Sequence, residues 1–280
     1  MKVLLLGAGG MLGRAVRTAA PAAVSLRAPT RAELELCDFE RVTVALSEDR
    51  ADWVINCAAW TQVDAAEEHE REAMQVNGDA VGVLARAAGH VGTRVLHLST
   101  EYVFDGTLER PYREDDVPNP QGVYGRSKLA GEQALTAVGG RWLVVRTQWL
   151  YGGGPSFVRT MWNRAKVGQA SRVVDDQWGA PTHVDELARA IWRLVIEGRD
   201  GVWHAAAGGF TTWFEVARAV YAAVGADPRL VTPCSTLEFA ARALRPANGR
   251  LDTGKLGGMR PWDAVLTEAL HPSRYGALGP

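Results

Sequence analysis

The sequence predicts an α/β fold in which a doubly wound parallel sheet is followed by a smaller C-terminal lobe. Short apolar runs alternate with helical segments. The runs lack the alternation of apolar and polar residues that is typical of a sheet with one solvent-exposed face. A glycine-rich turn follows the first run directly. After Tyr151 the alternation stops, and helices mix with loops rich in Pro and Gly. These features indicate strands covered by helices on both faces, then a less regular unit.

Five apolar runs are predicted to be sheet strands, namely KVLLL, AAVSL, ADWVIN, TRVLHLS and RWLVVR, and ELELC is predicted to be a further short strand. The segments between them predict helices, in order MLGRAVRTAA, FERVTVALSE, AEEHEREAMQVNGDAVGVLARAAGH and SKLAGEQALTAV. FVRTMWNRAKVG and WFEVARAVYAAVG predict helices of the lobe, whereas HVDELARAIWRLVIEG and GVWHAAA are predicted to return to the first domain. We therefore expect a first domain over residues 1–151, completed by about 183–207, and a lobe formed by 152–182 and 208–280.

Composition and charge exclude several classes of protein. The 280 residues are 47% hydrophobic and 22% charged, with a formal net charge of −1 and scattered Lys and Arg, so neither a nucleic-acid nor a membrane surface is expected. Cys37, Cys57 and Cys234 are far apart and show neither metal spacing nor a disulfide framework, which fits a reducing cytoplasm. The apolar run near Met1 is too short for a signal peptide or a membrane span.

The turn after KVLLL carries Gly7, Gly10 and Gly13 between a predicted strand and a predicted helix. Glycines at this spacing permit a tight turn, a close approach of the backbone to a pyrophosphate, and close helix–strand packing. The helix N-terminus, at Met11 and Leu12, offers free N–H donors to the phosphates. The motif predicts a Rossmann-like dinucleotide site; the alternative is a glycine-rich turn that binds nothing.

The residues after the second predicted strand bear on which dinucleotide is bound. An NAD site usually has a carboxylate there for the ribose hydroxyls, but SLRAPTR offers only Arg27 and Arg31. This favours a 2′-phosphate and hence NADPH, with NADH possible, unless the arginines are simply solvated. Asp38, next to Phe39, is predicted to bond the adenine amino group; it would equally serve as a helix N-cap.

A second cluster of polar residues is predicted at the carboxyl end of the sheet. Ser99 and Thr100 end the run TRVLHLS, and YGRSK opens the next helix with Tyr124 and Lys128 four residues apart. Side chains at that spacing share one helix face, and a phenol beside a fixed positive charge loses its proton more easily. Such a pair can transfer protons near neutral pH, although an isolated match is more often a surface feature.

The chain resembles the extended short-chain dehydrogenase/reductase superfamily and, more narrowly, the dTDP-4-dehydrorhamnose reductase family. The resemblance covers nearly the whole chain. The segments that carry it are GAGGMLG, NCAAWTQVDAAE, STEYVFDG, YGRSKLAGE, RTQWLYG, DDQWGAPT and RPANGRLDTGKL.

The resemblance implies a role for each matching residue. Tyr124 would be the proton donor to the substrate carbonyl, Lys128 would hold the nicotinamide ribose and lower the tyrosine pKa, and Thr100 would orient the carbonyl. The loop over the cofactor would comprise Ala58, Ala59 and Thr61, and the substrate site Val63, Asp64, Glu101, Tyr102 and Trp149. Arg245 is predicted to pair with the substrate diphosphate. The alternatives are a lobe-interface core role for Trp149, a helix N-cap for Asp64 and a surface ion pair for Arg245.

Three departures from related patterns narrow the implied activity. Glu101 stands where the family usually has Asp, and Tyr102 follows it, so the Asp-Glu pair of related 4,6-dehydratases is incomplete and dehydration is not expected. Cys57 and His97 lie inside predicted strands and are predicted to be core residues, not an epimerase pair. Some members of the family dimerise around a magnesium ion held by glutamates, one of them two residues beyond the third glycine, where this chain has Ala15. We therefore expect no metal site, and a monomer.

The resemblance thus implies NADPH-dependent reduction of the C4 keto group of a dTDP-4-keto-6-deoxyhexose. The substrate would be dTDP-4-dehydrorhamnose or the keto sugar of a related antibiotic deoxysugar step. Two alternatives stay open: a catalytically silent NADP-binding regulatory subunit, and a ketoreductase or epimerase acting on another nucleotide sugar.

Overall fold

A computed structural model describes residues 1–271 of the chain and gives twelve strands within them. The strands are β1 Lys2–Leu6, β2 Ser25–Arg27, β3 Trp53–Asn56, β4 Arg94–Thr100, β5 Trp142–Thr147, β6 Leu150–Tyr151, β7 Ser171–Val174, β8 Trp178–Gly179, β9 Thr182–His183, β10 Gly201–His204, β11 Thr211–Thr212 and β12 Val231–Cys234. Six of them form one parallel sheet in the order β10-β5-β4-β3-β1-β2. The α/β, Rossmann-like fold predicted from the sequence is therefore confirmed.

The α-helices of the described residues connect and cover these strands. They are α1 Met11–Thr18, α2 Phe39–Asp49, α3 Val63–Ala66, α4 Glu70–Met74, α5 Ala80–His90, α6 Val123–Ala137, α7 Phe157–Lys166, α8 Val184–Ile196, α9 Trp213–Val224, α10 Thr236–Phe239 and α11 Trp262–Ala269. A π-helical turn, Gln75–Asp79, joins α4 to α5. Within residues 1–271, none of the helices combines the length and apolarity needed to cross a bilayer.

Each face of the sheet is buried under its own apolar cluster. Along β1, Val3 and Leu5 pack into the cluster that includes α1 and α8, whereas Leu4 and Leu6 pack into the cluster that includes α2 and α5. Successive side chains of a strand point to opposite faces, so a strand that is apolar at every position must be covered on both sides. This burial explains why the strand runs lack alternation.

The chain returns to the sheet after leaving it. β10 pairs in parallel with β5, and α8 packs against α1. A separate apolar cluster, which includes Tyr151, Met161, Val220 and Tyr221, joins α7, α9 and α11 to the short pair β7–β12. The pair β8–β11 lies at the start of α9. The division into residues 1–151 with 183–207, and 152–182 with 208–280, stays a prediction, and residues 272–280 lie outside the described residues.

Two of the predicted elements differ in the structure. ELELC is not a strand, because its backbone bonds are local: the amide of Leu34 donates to the carbonyl of Thr30, and that of Asp38 to Glu35. Leu34 and Leu36 are nevertheless buried in the core. The single long helix predicted over residues 66–90 is interrupted after α3, at residues 67–69, and α4 begins only at Glu70.

Candidate active site

The candidate active site lies at the carboxyl end of the sheet, where Thr100 ends β4 and α6 begins at Val123. The start of α6 approaches the turn that follows β4 very closely. A Cβ built at Gly125 would stand 2.2 Å from the Tyr102 carbonyl oxygen, so only glycine permits this packing. The contact brings Tyr124 and Lys128, both on α6, next to the end of β4.

Tyr124 sits edge-on to Tyr102, with ring centroids 5.4 Å apart. Burial, followed by the charges of Glu101 and Tyr102, raises the pKa of the Tyr124 phenol above its ordinary value, and a hydrogen bond with Thr100 opposes the rise. The expected lowering of the tyrosine pKa by Lys128 is therefore not found. A phenol with a raised pKa keeps its proton at neutral pH, as a proton donor must.

Lys128 is buried and its ammonium points at His97 of β4, with Nζ 3.2 Å from Nε2. Burial lowers the pKa of Lys128 to about 8. The amide of Ala58 donates to Asn56 Oδ1, so the Asn56 amide nitrogen faces His97 Nδ1, 3.2 Å away. His97 Nδ1 then accepts, and the ring proton lies on Nε2, facing the lysine. This arrangement favours a lysine that gives up its proton readily.

His97 is a residue whose position the sequence analysis did not connect with the site. It is fully buried, as predicted for a core residue, and burial holds its pKa well below the ordinary value. Its contact with Lys128 nevertheless places it beneath the proposed proton-transfer pair. The one sequence feature that could have linked His97 to the site is its position in β4, two residues before Ser99. Side chains two residues apart on a strand point to the same face of the sheet, so His97 and Ser99 share a face.

Thr100 and Glu101 form a buried pair directly beside Tyr124. The Thr100 hydroxyl donates to Glu101 Oε2 over 2.8 Å and accepts from the backbone amide of Tyr102 over 3.2 Å. Burial raises the pKa of the Glu101 carboxyl to about 8. Among residues 1–271, Glu101 has no ion pair with Lys or Arg. The carboxyl is therefore neutral over much of the physiological pH range.

The glycine-rich turn has the shape that a dinucleotide pyrophosphate requires. Gly7 has φ of 72°, and a Cβ there would stand 2.5 Å from the backbone nitrogen of Ala58; a Cβ at Gly13 would stand 2.1 Å from the Gly7 carbonyl oxygen. Gly10 caps α1 without a side-chain hydrogen bond, and no acidic residue occupies the first turn. The N–H groups at Met11 and Leu12 are thus left to a ligand, while the Leu12 side chain packs in the core.

The residues predicted to distinguish NADPH from NADH are exposed and paired. Arg27 forms an ion pair with Asp49, and Arg31 with Glu35. Asp38 accepts from the backbone amide of Arg41 and caps α2, which begins at Phe39, so the N-cap alternative describes its contacts in this structure. Exposed ion pairs contribute only about 0–1 kcal/mol, so either arginine can exchange its partner for a phosphate.

The loop after β3 carries the other residues predicted to contact the cofactor. Ala58 lies against Gly7, which brings this loop beside the glycine-rich turn. Two hydrogen bonds tie Trp60 to Asn77: the Trp60 amide donates to Oδ1, and Nδ2 donates to the Trp60 carbonyl. Ala59 is half-buried and Thr61 exposed. The loop is therefore held in place, with its outer residues free to meet a ligand.

Arg245 binds Asp64 in the structure. Its two terminal nitrogens lie 3.1 and 2.7 Å from the two carboxylate oxygens, and Asp64 also accepts from the amide of Ala243. Arg245 further reaches the Tyr102 phenol. The N-cap alternative for Asp64 is wrong, because Gln62 holds that position and Val63 begins α3. A substrate diphosphate would have to displace Asp64 from the guanidinium.

Trp149 follows β5 in a left-handed conformation with φ of 47°. Its ring stacks on Trp213 with centroids 3.7 Å apart, and a Cβ at Gly179 would stand 2.5 Å from it. One ring face is therefore taken by the lobe, as the core alternative predicted. A bulky residue with positive φ costs on the order of 1–3 kcal/mol and marks positions under functional constraint.

Polar atoms without partners mark the same end of the sheet. Ser99 Oγ, Thr147 Oγ1 and both side-chain ends of Gln148 are buried and have no hydrogen-bond partner among the described residues. Buried polar groups are normally satisfied, so these atoms fit a ligand rich in hydroxyl and carbonyl groups. The sequence analysis named neighbouring Trp149 and missed Gln148, because a glutamine inside RTQWLYG carries no signal of its own.

Cys57 and His97 do not form an acid–base pair. Burial raises the pKa of the Cys57 thiol to about 12, so it stays protonated and is a poor base. All three cysteines are free. Within the described residues no three His, Cys, Asp or Glu side chains come together in a way that could hold a metal ion.

Comparison with known proteins finds a matching family model and relatives that are similar over nearly the whole chain. The family model described as "RmlD substrate binding domain" matches residues 1–274. A dTDP-4-keto-6-deoxy-D-glucose reductase of Streptomyces niveus is 40% identical, covering 95% of both chains, and a dTDP-4-dehydrorhamnose reductase of Streptomyces griseus is 41% identical, covering 99% of this chain and 95% of the relative.

A solved structure supports the same relationship. The dTDP-4-dehydrorhamnose reductase of Bacillus anthracis, solved in complex with NADP, has a TM-score of 0.91 to this chain at 32% identity, covering 95% of this chain and 97% of the other. The family model and the full-length similarity therefore point to the same family. The chain belongs to the RmlD substrate-binding-domain family, whose members include the dTDP-4-dehydrorhamnose reductases.

Proposed function

We propose that the chain is an NADPH-dependent reductase of the C4 keto group of a dTDP-4-keto-6-deoxyhexose, with dTDP-4-dehydrorhamnose as the first candidate substrate. The observation that carries the proposal is the placement of Thr100, Tyr124 and Lys128 at the carboxyl end of a parallel sheet. The names and full-length similarity of the relatives support the substrate class. NADPH oxidation in the presence of this keto sugar nucleotide tests the proposal.

The proposed chemistry divides between the cofactor and the side chains. NADPH, when bound, supplies the hydride to C4 of the sugar. Tyr124, held neutral by its raised pKa, gives its proton to the oxygen that was the carbonyl. Thr100 lies beside Tyr124 and bonds the same oxygen. Lys128 would hold the ribose of the cofactor. Because its pKa is lowered, it would also give a proton to Tyr124 after the reduction.

The surroundings of the site support a deoxysugar as substrate. The Trp149 ring offers an apolar edge, and an apolar wall suits a methyl group at C5 better than a hydroxymethyl, because burying an unpaired hydroxyl costs about 1–3 kcal/mol. The free amide of Gln148 and the hydroxyl of Ser99 are candidate partners for the other ring oxygens. A 6-hydroxy analogue should therefore react more slowly.

A catalytically silent regulatory subunit would keep the fold without needing the site. Tyr124, Thr100 and Lys128 form an intact proton-transfer set, which favours the enzyme. Single-turnover oxidation of bound NADPH by the keto sugar separates the two functions: an enzyme consumes one equivalent of cofactor, whereas a silent subunit binds NADPH and leaves it reduced.

NADPH is expected to be preferred over NADH, because β2 ends on Arg27 and not on a carboxylate, and Arg31 follows it. Arg31→Glu, or Arg27→Glu if that residue holds the phosphate, should reduce the preference by roughly tenfold, the scale of one charge-assisted hydrogen bond. kcat/KM with each cofactor measures the ratio, with Arg86→Glu on α5 as a control for added negative charge. A native protein that prefers NADH would contradict the 2′-phosphate assignment.

A monomer is proposed, since Ala15 cannot ligate a cation and α1 carries no acidic residue in its first turn. Light scattering at micromolar protein should give the mass of one chain, about 30 kDa as the sequence requires, with and without EDTA. A dimer that dissociates on chelation would overturn this part of the proposal.

A further inference from the structure

Glu101 and Thr100 pose a hydrogen-bonding conflict that the proposed reduction must resolve. A hydroxyl has one proton to donate and two lone pairs that accept. In the structure the Thr100 hydroxyl gives its proton to Glu101 Oε2, 2.8 Å away, and accepts from the Tyr102 amide. In this arrangement Thr100 has no proton left for a substrate oxygen.

The developing alkoxide at C4 needs hydrogen-bond donors. Preorganised donors aimed at an oxyanion are worth about 10²–10³ in rate each. Tyr124 is one such donor, and Thr100 can be the second only if Glu101 stops accepting its proton. That happens when the Glu101 carboxyl is itself protonated, since its O–H then fills the second lone pair of Thr100. Once the Tyr124 phenol turns from Thr100 to the substrate oxygen, the hydroxyl makes three hydrogen bonds: two accepted from protein and one donated to substrate.

We propose that Glu101 is a positioning residue that must hold its own proton, so that its carboxyl O–H donates to Thr100 and turns the Thr100 hydroxyl toward the substrate carbonyl oxygen. This inference rests on the proposed function, because it requires a carbonyl oxygen to be reduced in the site. Glu101 acts only through Thr100 and transfers no proton to substrate.

The surroundings of Glu101 suit a neutral carboxyl. Its side chain is buried, and a Cβ built at Gly249 would stand 3.1 Å from its Cγ, so the lobe closes over it. The groups that face it are Tyr124 from α6 and Tyr102 from its own turn, and the uncharged amide of Gln148, from the end of β5, lies with it against Gly249. The ammonium of Lys128 points to His97 instead. The guanidinium of Arg245 forms an ion pair with Asp64 and not with Glu101. Burial raises the pKa of Glu101 to about 8, so the carboxyl is protonated below that pH and ionises above it.

The test compares the pH dependence of hydride transfer in the native protein and in Glu101→Gln. The glutamine amide donates to Thr100 at every pH and so imitates the protonated acid. At pH 7 this variant should keep at least about a third of the native single-turnover rate. Between pH 7 and 9 the native rate should fall about tenfold relative to the variant, as a single ionisation near 8 requires. Because Lys128 also titrates near 8, only this ratio is diagnostic.

Thr100 variants show whether Glu101 acts through the hydroxyl. In a Thr100→Val background, Glu101→Gln should change neither the rate nor its pH dependence, whereas Thr100→Ser should retain the native pH dependence. A rate ratio that is constant with pH, or a loss of more than 100-fold in Glu101→Gln at pH 7 with NADPH binding intact, would overturn the proposal.

A measurement without turnover keeps the proposal separate from the choice of substrate. The native protein labelled with ¹³C at the glutamate carboxyls should show one buried carboxyl that titrates near pH 8 by NMR and disappears in Glu101→Gln. If every glutamate ionises below pH 6, the proposal fails, whatever sugar the enzyme reduces. If the carboxyl titrates near 8 but no keto sugar is reduced, the proposed function fails instead.

Discussion

Tyr124→Phe should lower the rate of keto-sugar reduction by two orders of magnitude or more, the usual scale for the loss of a general acid. The phenylalanine ring can keep the edge-on contact with Tyr102 at 5.4 Å, so the fold and NADPH binding should survive. Because the phenol keeps its proton at neutral pH, its removal deletes the proton source itself.

Single-turnover rates, together with NADPH titration by fluorescence, measure both halves of this expectation. Tyr221→Phe is the matched control, since that buried hydroxyl donates to the Gln169 carbonyl in the lobe, away from the site. The control should change the rate less than about threefold. Near-native turnover in Tyr124→Phe would remove Tyr124 from its proposed role.

Lys128→Met should lower the rate by roughly a hundredfold and weaken NADPH binding, because it removes a buried charge while keeping most of the side-chain volume. Stability should not fall greatly, since burial already disfavours the charged lysine and lowers its pKa to about 8. The exposed Lys166 of α7 provides the control variant Lys166→Met. Rates and dissociation constants within threefold of the native values would show that Lys128 is a structural residue.

The sheet could be predicted because most of its strands contain consecutive apolar residues and not apolar residues at alternate positions. The apolar residues of KVLLL and RWLVVR are buried on both faces of the sheet. Runs of this kind between helical segments are typical of a parallel sheet covered by helices on both sides. ELELC has the alternation of a strand, but its glutamates take part in local turns around Thr30 and Cys37, and tertiary burial of Leu34 and Leu36 needs no strand. Propensity alone could not separate these outcomes.

Within the site, residues close in sequence were predictable and distant ones were not. Tyr124 and Lys128 are one helical turn apart, and Thr100 ends the strand before them. The Arg245–Asp64 pair joins residues 181 positions apart, and no local sequence pattern predicts it. The contact of Lys128 with His97 likewise depends on how α6 lies on β4, which three-dimensional packing decides.

The directions of the pKa shifts could not be predicted from the sequence, because they too depend on three-dimensional packing. The spacing of Tyr124 and Lys128 suggested a lowered tyrosine pKa, but the lysine runs inward to His97 while burial dominates at the phenol. Glu101 shows the reverse case: a carboxyl expected to be ionised from its type is held neutral by its surroundings. Burial, which the chain fixes only on folding, sets both values.

The most direct test of the central claim is NADPH oxidation with dTDP-4-keto-6-deoxyglucose and its 3,5-epimerase, compared with UDP- and GDP-linked 4-keto sugars, with product identification by NMR. We expect oxidation with the dTDP substrate and a product reduced at C4, with kcat/KM for the other nucleotides lower by at least an order of magnitude. Activity confined to a UDP- or GDP-linked sugar, or no oxidation with any of them, would contradict the account.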